Sequence, residues 1–112
     1  MKGIRLATIG ATAAAAIALA APALADDYDA PFNAQLHQYG IYGPQDYNAW
    51  LAKISCDRMD RGVDTDAYKS ATFLQRNLPR GTTQGQAFQF LGAAIDHYCP
   101  EHVDRLQQVG HQ

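Results

Sequence analysis

The chain has few of the side chains that carry chemistry in enzymes. Its 112 residues contain two cysteines, one tryptophan and only two serines, Ser55 and Ser70. Neither serine is flanked by the glycines of a nucleophile elbow, and no glycine-rich loop that could hold a phosphate group occurs. The histidine and cysteine spacings typical of zinc sites are also lacking. These absences predict a protein without catalytic residues, a cofactor or a metal site, and therefore one that is not an enzyme.

A large excess of acidic or of basic residues is lacking as well. The chain has 9 basic and 11 acidic residues, and its formal net charge at pH 7 is −2. Because the two signs are interspersed, nucleic acids and anionic membrane surfaces are not expected partners. Asp57, Arg58, Asp60 and Arg61 alternate in charge, which predicts a solvent-facing, salt-bridged helix face rather than an acid–base pair.

Long apolar runs are absent apart from one near the N-terminus, over residues 6–20. Two basic residues, Lys2 and Arg5, precede this run, and the small-residue sequence Ala23-Leu24-Ala25 follows it. This order is typical of a secretory signal peptide. The run is short for a membrane span, and Asp26 rather than a cysteine that could carry a lipid stands directly after the cleavage signal. We therefore expect residues 1–25 to be a signal peptide that is removed on export.

The mature protein is expected to comprise residues 26–112, as a single helical domain with a frayed tail after Val109. Loss of Lys2 and Arg5 with the signal peptide would change the net charge from −2 to −4. We expect this domain to be secreted or to lie in the cell envelope, outside the cytoplasm. No stable membrane insertion is expected after cleavage.

The two cysteines, Cys56 and Cys99, are the only candidates for a covalent crosslink. A redox pair usually has two residues between its cysteines, whereas these are 43 positions apart. In an exported chain, the favoured interpretation is one structural disulfide, with a redox pair or two metal ligands as alternatives. Both cysteines lie on apolar helix faces, so a disulfide would staple two helices together.

Turn residues divide the mature chain into helical segments, and no segment has the alternating pattern of a strand. Gly62 is predicted to end the second helix, Asp64 or Thr65 to cap the third, and Thr83 with Gln86 to form a capping box on the fourth. The predicted fold is all-α, a small disulfide-stapled bundle of four to five short helices. The predicted helices cover residues 29–39, 44–61, 65–78 and 83–99, followed by a short helix from Pro100.

The second predicted helix is apolar on two sides, which is typical of a helix at the centre of a fold. Trp50 lies on one of these faces, so the sequence predicts that its side chain is buried and structural. The two faces consist of Tyr47, Trp50, Leu51 and Ile54 on one side and of Ala49, Ala52, Cys56 and Met59 on the other.

Aromatic residues are concentrated in one part of the chain. Six of the eleven aromatics fall between Tyr28 and Trp50, and Tyr42 and Tyr47 flank a glycine–proline break. Tyrosine combines an apolar ring with a polar tip, so Tyr39, Tyr42 and Tyr47 are candidates for contact with a ligand or a partner. The alternative, which we favour, is that these large side chains fill a small core.

The histidines do not stand in a metal-binding motif. His97, Glu101 and His102 are close in the sequence, but Pro100 interrupts the helix between the first two. Solvent-facing histidines are the favoured interpretation for this group and for His37. Haem and transition metals are therefore expected to bind weakly or not at all.

The cysteines and the residues around them also give the chain a family resemblance. The positions that carry it are Phe32, Leu36, Gly40-Ile41, Cys56, Gly62, Ala94-Ile95 and Tyr98-Cys99-Pro100. In these positions the chain resembles the domain of unknown function 732, a family of small exported proteins found mostly in mycobacteria and their relatives. The resemblance covers about residues 27–106. It implies a compact helical domain with a Cys56–Cys99 disulfide, and it implies no activity.

Three functional hypotheses follow from these features. The first is a secreted or cell-envelope, non-catalytic domain that binds an unidentified small ligand or protein. The second is a haem or metal carrier, for which Tyr39, Tyr42, His37 and His97 would be the available ligands. The third, a small hydrolase, has the least support in the sequence.

Overall fold

The computed structural model describes residues 27–109, and every regular element in this part of the chain is helical. The predicted fold class, a small all-α bundle, is confirmed. The predicted signal peptide, its cleavage before Asp26 and the tail after Val109 concern residues outside this part. The helices are α1 over residues 27–38, α2 over Gln45–Asp60, α3 over Ala67–Asn77, α4 over Gln84–Tyr98 and α5 over Val103–Val109, with a 3-10 turn at Pro100–His102.

Two of the predicted helix boundaries are confirmed by their hydrogen bonds. Gly62 follows α2 with a φ of 73°, and its N–H donates to the carbonyl of Met59 at 3.2 Å. Glycine tolerates this left-handed conformation because it has no Cβ. At the start of α4, the Thr83 hydroxyl accepts from the N–H of Gln86, and the Gln86 side chain accepts from the N–H of Thr83, each at 3.0 Å.

The N-cap of α3 differs from the prediction. Asp66 caps this helix, since its carboxylate accepts a hydrogen bond from the N–H of Lys69 at 2.9 Å. The prediction of Asp64 or Thr65 is wrong by one or two residues. Asp64 is drawn inward by a buried ion pair, so the helix starts at the next available carboxylate.

The central helix of the bundle is α4, which packs against α2, α3 and α5, so the prediction that the second helix is central is wrong. Phe90 and Leu91 in this helix are fully buried, and the ring of Phe90 packs edge-on against Phe32 of α1 at 5.4 Å. Within residues 27–109, no helix combines the length and the apolar character that a membrane span requires. The other fully buried large apolar side chains are Leu36, Leu51, Leu74 and Ile95.

The predicted burial of Trp50 is wrong, because α2 packs on one side only. The Trp50 side chain is 53% exposed and Tyr47 is 39% exposed, whereas Leu51 is fully buried. The buried side of α2 is rich in small residues, which lets its backbone approach α3 and α4 closely. The large aromatics are therefore left on the outer side. The small buried residues of α2 are Ala49, Ala52, Ser55 and Cys56.

The disulfide predicted from the sequence is present in the structure. Cys56 of α2 and Cys99, directly after α4, have their sulfur atoms at bonding distance and their Cα atoms 6.0 Å apart. Both side chains are buried. The bond thus joins the C-terminal halves of the two helices, as the apolar faces indicate.

The N-terminal part of α1 is fastened to the C-terminal end of α4. The Tyr28 hydroxyl donates to the carbonyl of His97, and His97 Nε2 donates to the carbonyl of Tyr28, each at 2.6 Å. Tyr98 donates to the buried carboxylate of Asp29 at 2.6 Å, and burial followed by this hydrogen bond raises the pKa of Tyr98. His97 is half-buried in these contacts, so the prediction that it faces solvent is wrong.

A buried ion pair closes the connection between α2 and α3. Arg58 donates through Nε and Nη2 to the two carboxylate oxygens of Asp64, both at 3.0 Å, and these hydrogen bonds raise the pKa of Arg58. Ser70 donates to the same carboxylate at 3.2 Å, and Arg105 of α5 donates to the Asp64 carbonyl at 2.7 Å. Asp64 therefore links α2, α3 and α5.

The bundle has two ends of different character. The first, the crosslinked end, holds the disulfide and the buried ion pair and is defined by Cys56, Asp64, Cys99 and His102. The second, the aromatic end, lies where the α1–α2 and α3–α4 connections meet and is defined by Tyr42, Tyr47, Trp50 and the segment 77–82.

Candidate functional site

The aromatic end exposes three large side chains that fall within nine positions of the sequence. Tyr42 is 63% exposed, Tyr47 is 39% exposed and Trp50 is 53% exposed. Gly43 and Pro44 separate Tyr42 from α2, and the glycine has a φ of 133° that a residue with a side chain rarely adopts. Pro44 stands at the N-cap position, directly before α2, in an extended conformation. The local sequence therefore directs these aromatics outward at the start of α2.

Tyr47 is held in place by a polar contact. Its hydroxyl donates to the carbonyl of Asn77 at the end of α3, at 2.7 Å. Trp50 lies one helical turn further on, and the two ring centroids are 5.7 Å apart. Because residues three positions apart share a face of a helix, the two rings form one exposed surface. The tyrosine is fixed by both its ring and its hydroxyl.

A groove next to this surface lies between the two connections. It has a volume of about 280 Å³ and is lined by Tyr42 on one side and by the segment 79–82 on the other. Gln86 bridges the two sides, since its side chain donates to the carbonyl of Tyr39 at 3.1 Å. Pockets for drug-sized ligands usually measure about 300 to 1,000 Å³, so this groove is at the lower limit for such a ligand.

The structure separates the three tyrosines that the sequence proposes for binding. Tyr42 and Tyr47 reach the surface of the aromatic end, whereas Tyr39 packs half-buried against the core. The hydroxyl of Tyr39 accepts from the side chain of Gln35 at 2.8 Å. Trp50 takes the place of Tyr39 in the exposed set. Trp50 was not among the predicted contact residues, although the small residues on the opposite side of α2 indicate which side of the helix is buried.

The candidate haem ligands are not brought together in the described part of the chain. His37 is exposed, with its ring 5.2 Å from the ring of Tyr42. His97 instead contacts Tyr28, nine residues before His37, which corresponds to about 13 Å along the helix. Tyr39 is packed against the core. The four residues therefore do not form one coordination site.

A second and larger groove lies over the connection between α2 and α3, with a volume of about 420 Å³. Four of the five charged residues that line it, all except Arg76, are already engaged with the protein. Arg58 is paired with Asp64 and stacks over Phe73 at 4.0 Å, and Lys69 donates to Thr65 at 2.9 Å. This groove offers fewer free polar groups to a ligand than its charge suggests.

The sequence of this chain matches a protein family that is defined from related sequences. A family model described as "Protein of unknown function (DUF732)" matches residues 25–101, which include both cysteines and the aromatic end. The chain belongs to this family. The resemblance noted in the sequence is thereby confirmed.

Relatives of this DUF732 protein are present in Mycobacterium tuberculosis. One protein from strain H37Rv and one from strain CDC 1551 are each 77% identical to it over 110 residues. Each match covers 98% of this chain and 98% of the relative, and both relatives are described as uncharacterized proteins. No solved structure gives a significant match to the DUF732 chain.

Proposed function

We propose that this protein is an exported, non-catalytic domain that binds a protein partner through its aromatic end. Export is supported by the signal-peptide pattern over residues 1–25 and by the family match, which starts at residue 25. The disulfide supports the same compartment, because disulfides persist in oxidising environments outside the cytoplasm.

The exposed surface of Tyr42, Tyr47 and Trp50 is the observation that carries the proposal. Tyrosine and tryptophan are enriched among the residues that dominate binding energy at protein interfaces. Tyr47 is already fixed by its hydrogen bond to Asn77, so little side-chain entropy is lost when it is covered. The groove beside Tyr42 is small for a drug-sized ligand, which favours a protein surface over an enclosed small molecule.

The state of the buried carboxylates supports a role without catalysis. Among the described residues, Asp29 and Asp64 are the two buried acids. Asp29 accepts from Tyr98, and Asp64 accepts from Arg58 and Ser70. Carboxylates satisfied in this way stabilise the fold and are poorly placed to exchange protons with a substrate.

The binding proposal is tested by comparing substitutions at two exposed positions, one at the aromatic end and one near the crosslinked end. The protein, isolated from an oxidising compartment, is immobilised and exposed to envelope and culture-filtrate fractions of the producing bacterium, and retained proteins are identified by mass spectrometry. Each purified candidate is then titrated against the wild type, Trp50→Ala and Val63→Ala. Val63 is 50% exposed near the crosslinked end and serves as the matched control.

We expect Trp50→Ala to lower the affinity for a true partner about 30-fold, which corresponds to about 2 kcal/mol of binding free energy at an interface hot spot. Val63→Ala should bind as the wild type does. Equal binding by both variants would contradict the proposed surface. Export is checked by intact-mass analysis of the culture filtrate, where the mature chain should begin at Asp26, and retention of Met1 would contradict that part.

A further inference from the structure

Three potential metal ligands meet at the crosslinked end, away from the aromatic end. Asp60, Glu101 and His102 each place one ligand atom within 4.8 Å of the other two. His102 Nε2 lies 2.5 Å from the Oδ1 atom of Asp60. In the sequence, Glu101 and His102 stand beside His97, whereas Asp60 is separated from His102 by 42 positions and meets it only in the fold.

The three donors match one class of ion. An imidazole nitrogen with two carboxylate oxygens is a donor set that suits zinc and neighbouring divalent first-row metals. Bonds of about 2.0–2.2 Å in a tetrahedral site would hold the ligand atoms roughly 3.4 Å apart. The carboxylates of Asp60 and Glu101 are exposed, so rotation of their side chains can adjust the ligand distances. The 2.5 Å between His102 Nε2 and Asp60 Oδ1 would widen as the ion replaces the proton of their hydrogen bond. Three protein ligands leave one position of the tetrahedron for water.

Among residues 27–109, His102 is the one basic side chain that pairs with a carboxylate of this cluster, through its hydrogen bond to Asp60. The two carboxylates lie close together, and no lysine or arginine of residues 27–109 forms an ion pair with either of them. The nearby arginines are engaged elsewhere: Arg61 pairs with Asp57 at 3.1 Å, and Arg105 donates to a backbone carbonyl at 2.7 Å. A divalent cation would balance the two negative charges and remove their mutual repulsion.

The disulfide holds the two ligand-bearing segments together. Asp60 follows Cys56 by one helical turn, and Glu101 and His102 stand in the 3-10 turn that begins directly after Cys99. The N–H of His102 donates to the carbonyl of Cys99 at 3.0 Å, which fixes the histidine relative to the crosslink. His102 also has only 15% of its side chain exposed, so its ring has little freedom. Ligands held in this way lose little entropy when an ion binds.

From this geometry we propose that Asp60, Glu101 and His102 form a binding site for a divalent transition-metal ion, with Zn²⁺ as the best-fitting ion. The site joins the end of α2 to the 3-10 turn through coordination bonds beside the disulfide. It shares no residue with the aromatic end, so its failure would leave the proposed binding surface untouched.

The test is a titration of the metal-free protein, purified from an oxidising compartment, with Zn²⁺ by calorimetry and with Co²⁺ by visible absorption. We expect one equivalent per chain, a Co²⁺ spectrum with nitrogen and oxygen ligands, and a rise of the melting temperature with Zn²⁺. Asp60→Asn and His102→Gln should each weaken Zn²⁺ binding at least tenfold. Mg²⁺ should not compete at equal concentration, because it prefers oxygen ligands in an octahedral site.

Two substitutions serve as matched controls. Asp57→Asn removes an equally exposed carboxylate one turn earlier in α2, and His37→Asn removes an exposed histidine at the other end of the bundle. Both should bind Zn²⁺ as the wild type does. Circular dichroism establishes that every variant is folded. Absence of saturable binding, or binding that survives Asp60→Asn and His102→Gln, would overturn the site.

Discussion

At the crosslinked end, three kinds of strong contact meet within a few residues: a disulfide, a buried bidentate ion pair and a reciprocal pair of hydrogen bonds. Cys56 is joined to Cys99, Arg58 is paired with Asp64, and α1 is fastened at Tyr28. The aromatic end is held by helix caps and by single hydrogen bonds from Tyr47 and Gln86. Exposed large apolar side chains occur at both ends, but those at the aromatic end are three aromatic residues within nine positions of the chain, Tyr42, Tyr47 and Trp50.

This difference indicates that the stability of the domain and its binding depend on different ends of the bundle. A chain of this size buries a limited fraction of its surface, so its stability margin is narrow. Covalent and ionic contacts concentrated at one end allow the other end to leave Tyr42 and Trp50 uncovered. The comparison predicts that substitutions at the crosslinked end affect stability most, and those at the aromatic end affect binding.

The largest expected effect on stability comes from breaking the disulfide. Closing a loop of 43 residues stabilises the folded state by about 4 kcal/mol in the chain-entropy model. Cys56→Ser or Cys99→Ser should therefore lower the free energy of unfolding by about that amount, as measured by urea denaturation. The double substitution should be no worse than either single one.

Thiol labelling provides an independent check on the same bond. In the folded protein isolated from an oxidising compartment, neither cysteine should react with a thiol reagent, either before or after denaturation without reductant. If two thiols become reactive on denaturation alone, the crosslink is absent and the contrast between the two ends loses its strongest element.

A smaller effect is expected from the buried ion pair. Asp64→Asn leaves Arg58 without its bidentate partner in a mostly buried place. This substitution should lower the free energy of unfolding by about 3 kcal/mol. Asp57→Asn is the matched control, because its partner Arg61 and the carboxylate itself are both exposed. That control should change stability by less than about 0.5 kcal/mol. Equal losses of unfolding free energy in the two variants, measured by denaturation, would show that the buried ion pair stabilises the fold no more than the exposed one.

Features set by neighbouring residues could be predicted from the sequence. The glycine that ends α2 at Gly62 and the capping box of Thr83 with Gln86 depend on local conformation and short-range hydrogen bonds. The disulfide could also be predicted, since two cysteines in a chain that is expected to be exported have few other roles. The structure bears out the helical class and all of these local features.

Features that depend on packing between helices could not be predicted in the same way. The apolar pattern of α2 is two-sided, and hydrophobicity alone favours burying Trp50 before Ala52. Close packing against α4 instead selects the side with small residues. The candidate metal site could not be predicted for a related reason: Asp60 and His102 are 42 positions apart and meet only through the packing of α2 against the turn after α4.

The smallest expected effect on stability concerns Trp50, and it decides whether the aromatic end is a surface or part of the core. With 53% of its side chain exposed, Trp50→Ala should lower the free energy of unfolding by about 1 kcal/mol or less, partly because alanine favours the helix. Leu51→Ala, at the adjacent and fully buried position, should cost about 3 kcal/mol. Both are measured by urea denaturation of the oxidised protein.

A loss in Trp50→Ala as large as that in Leu51→Ala would mean that the tryptophan stabilises the fold. Any binding defect of that variant would then report unfolding, and the aromatic end would no longer be distinguished from the core. Near-native stability together with lost partner binding is the result that separates the two ends. It would assign the exposed rings of Tyr47 and Trp50 to recognition and the crosslinked end to stability.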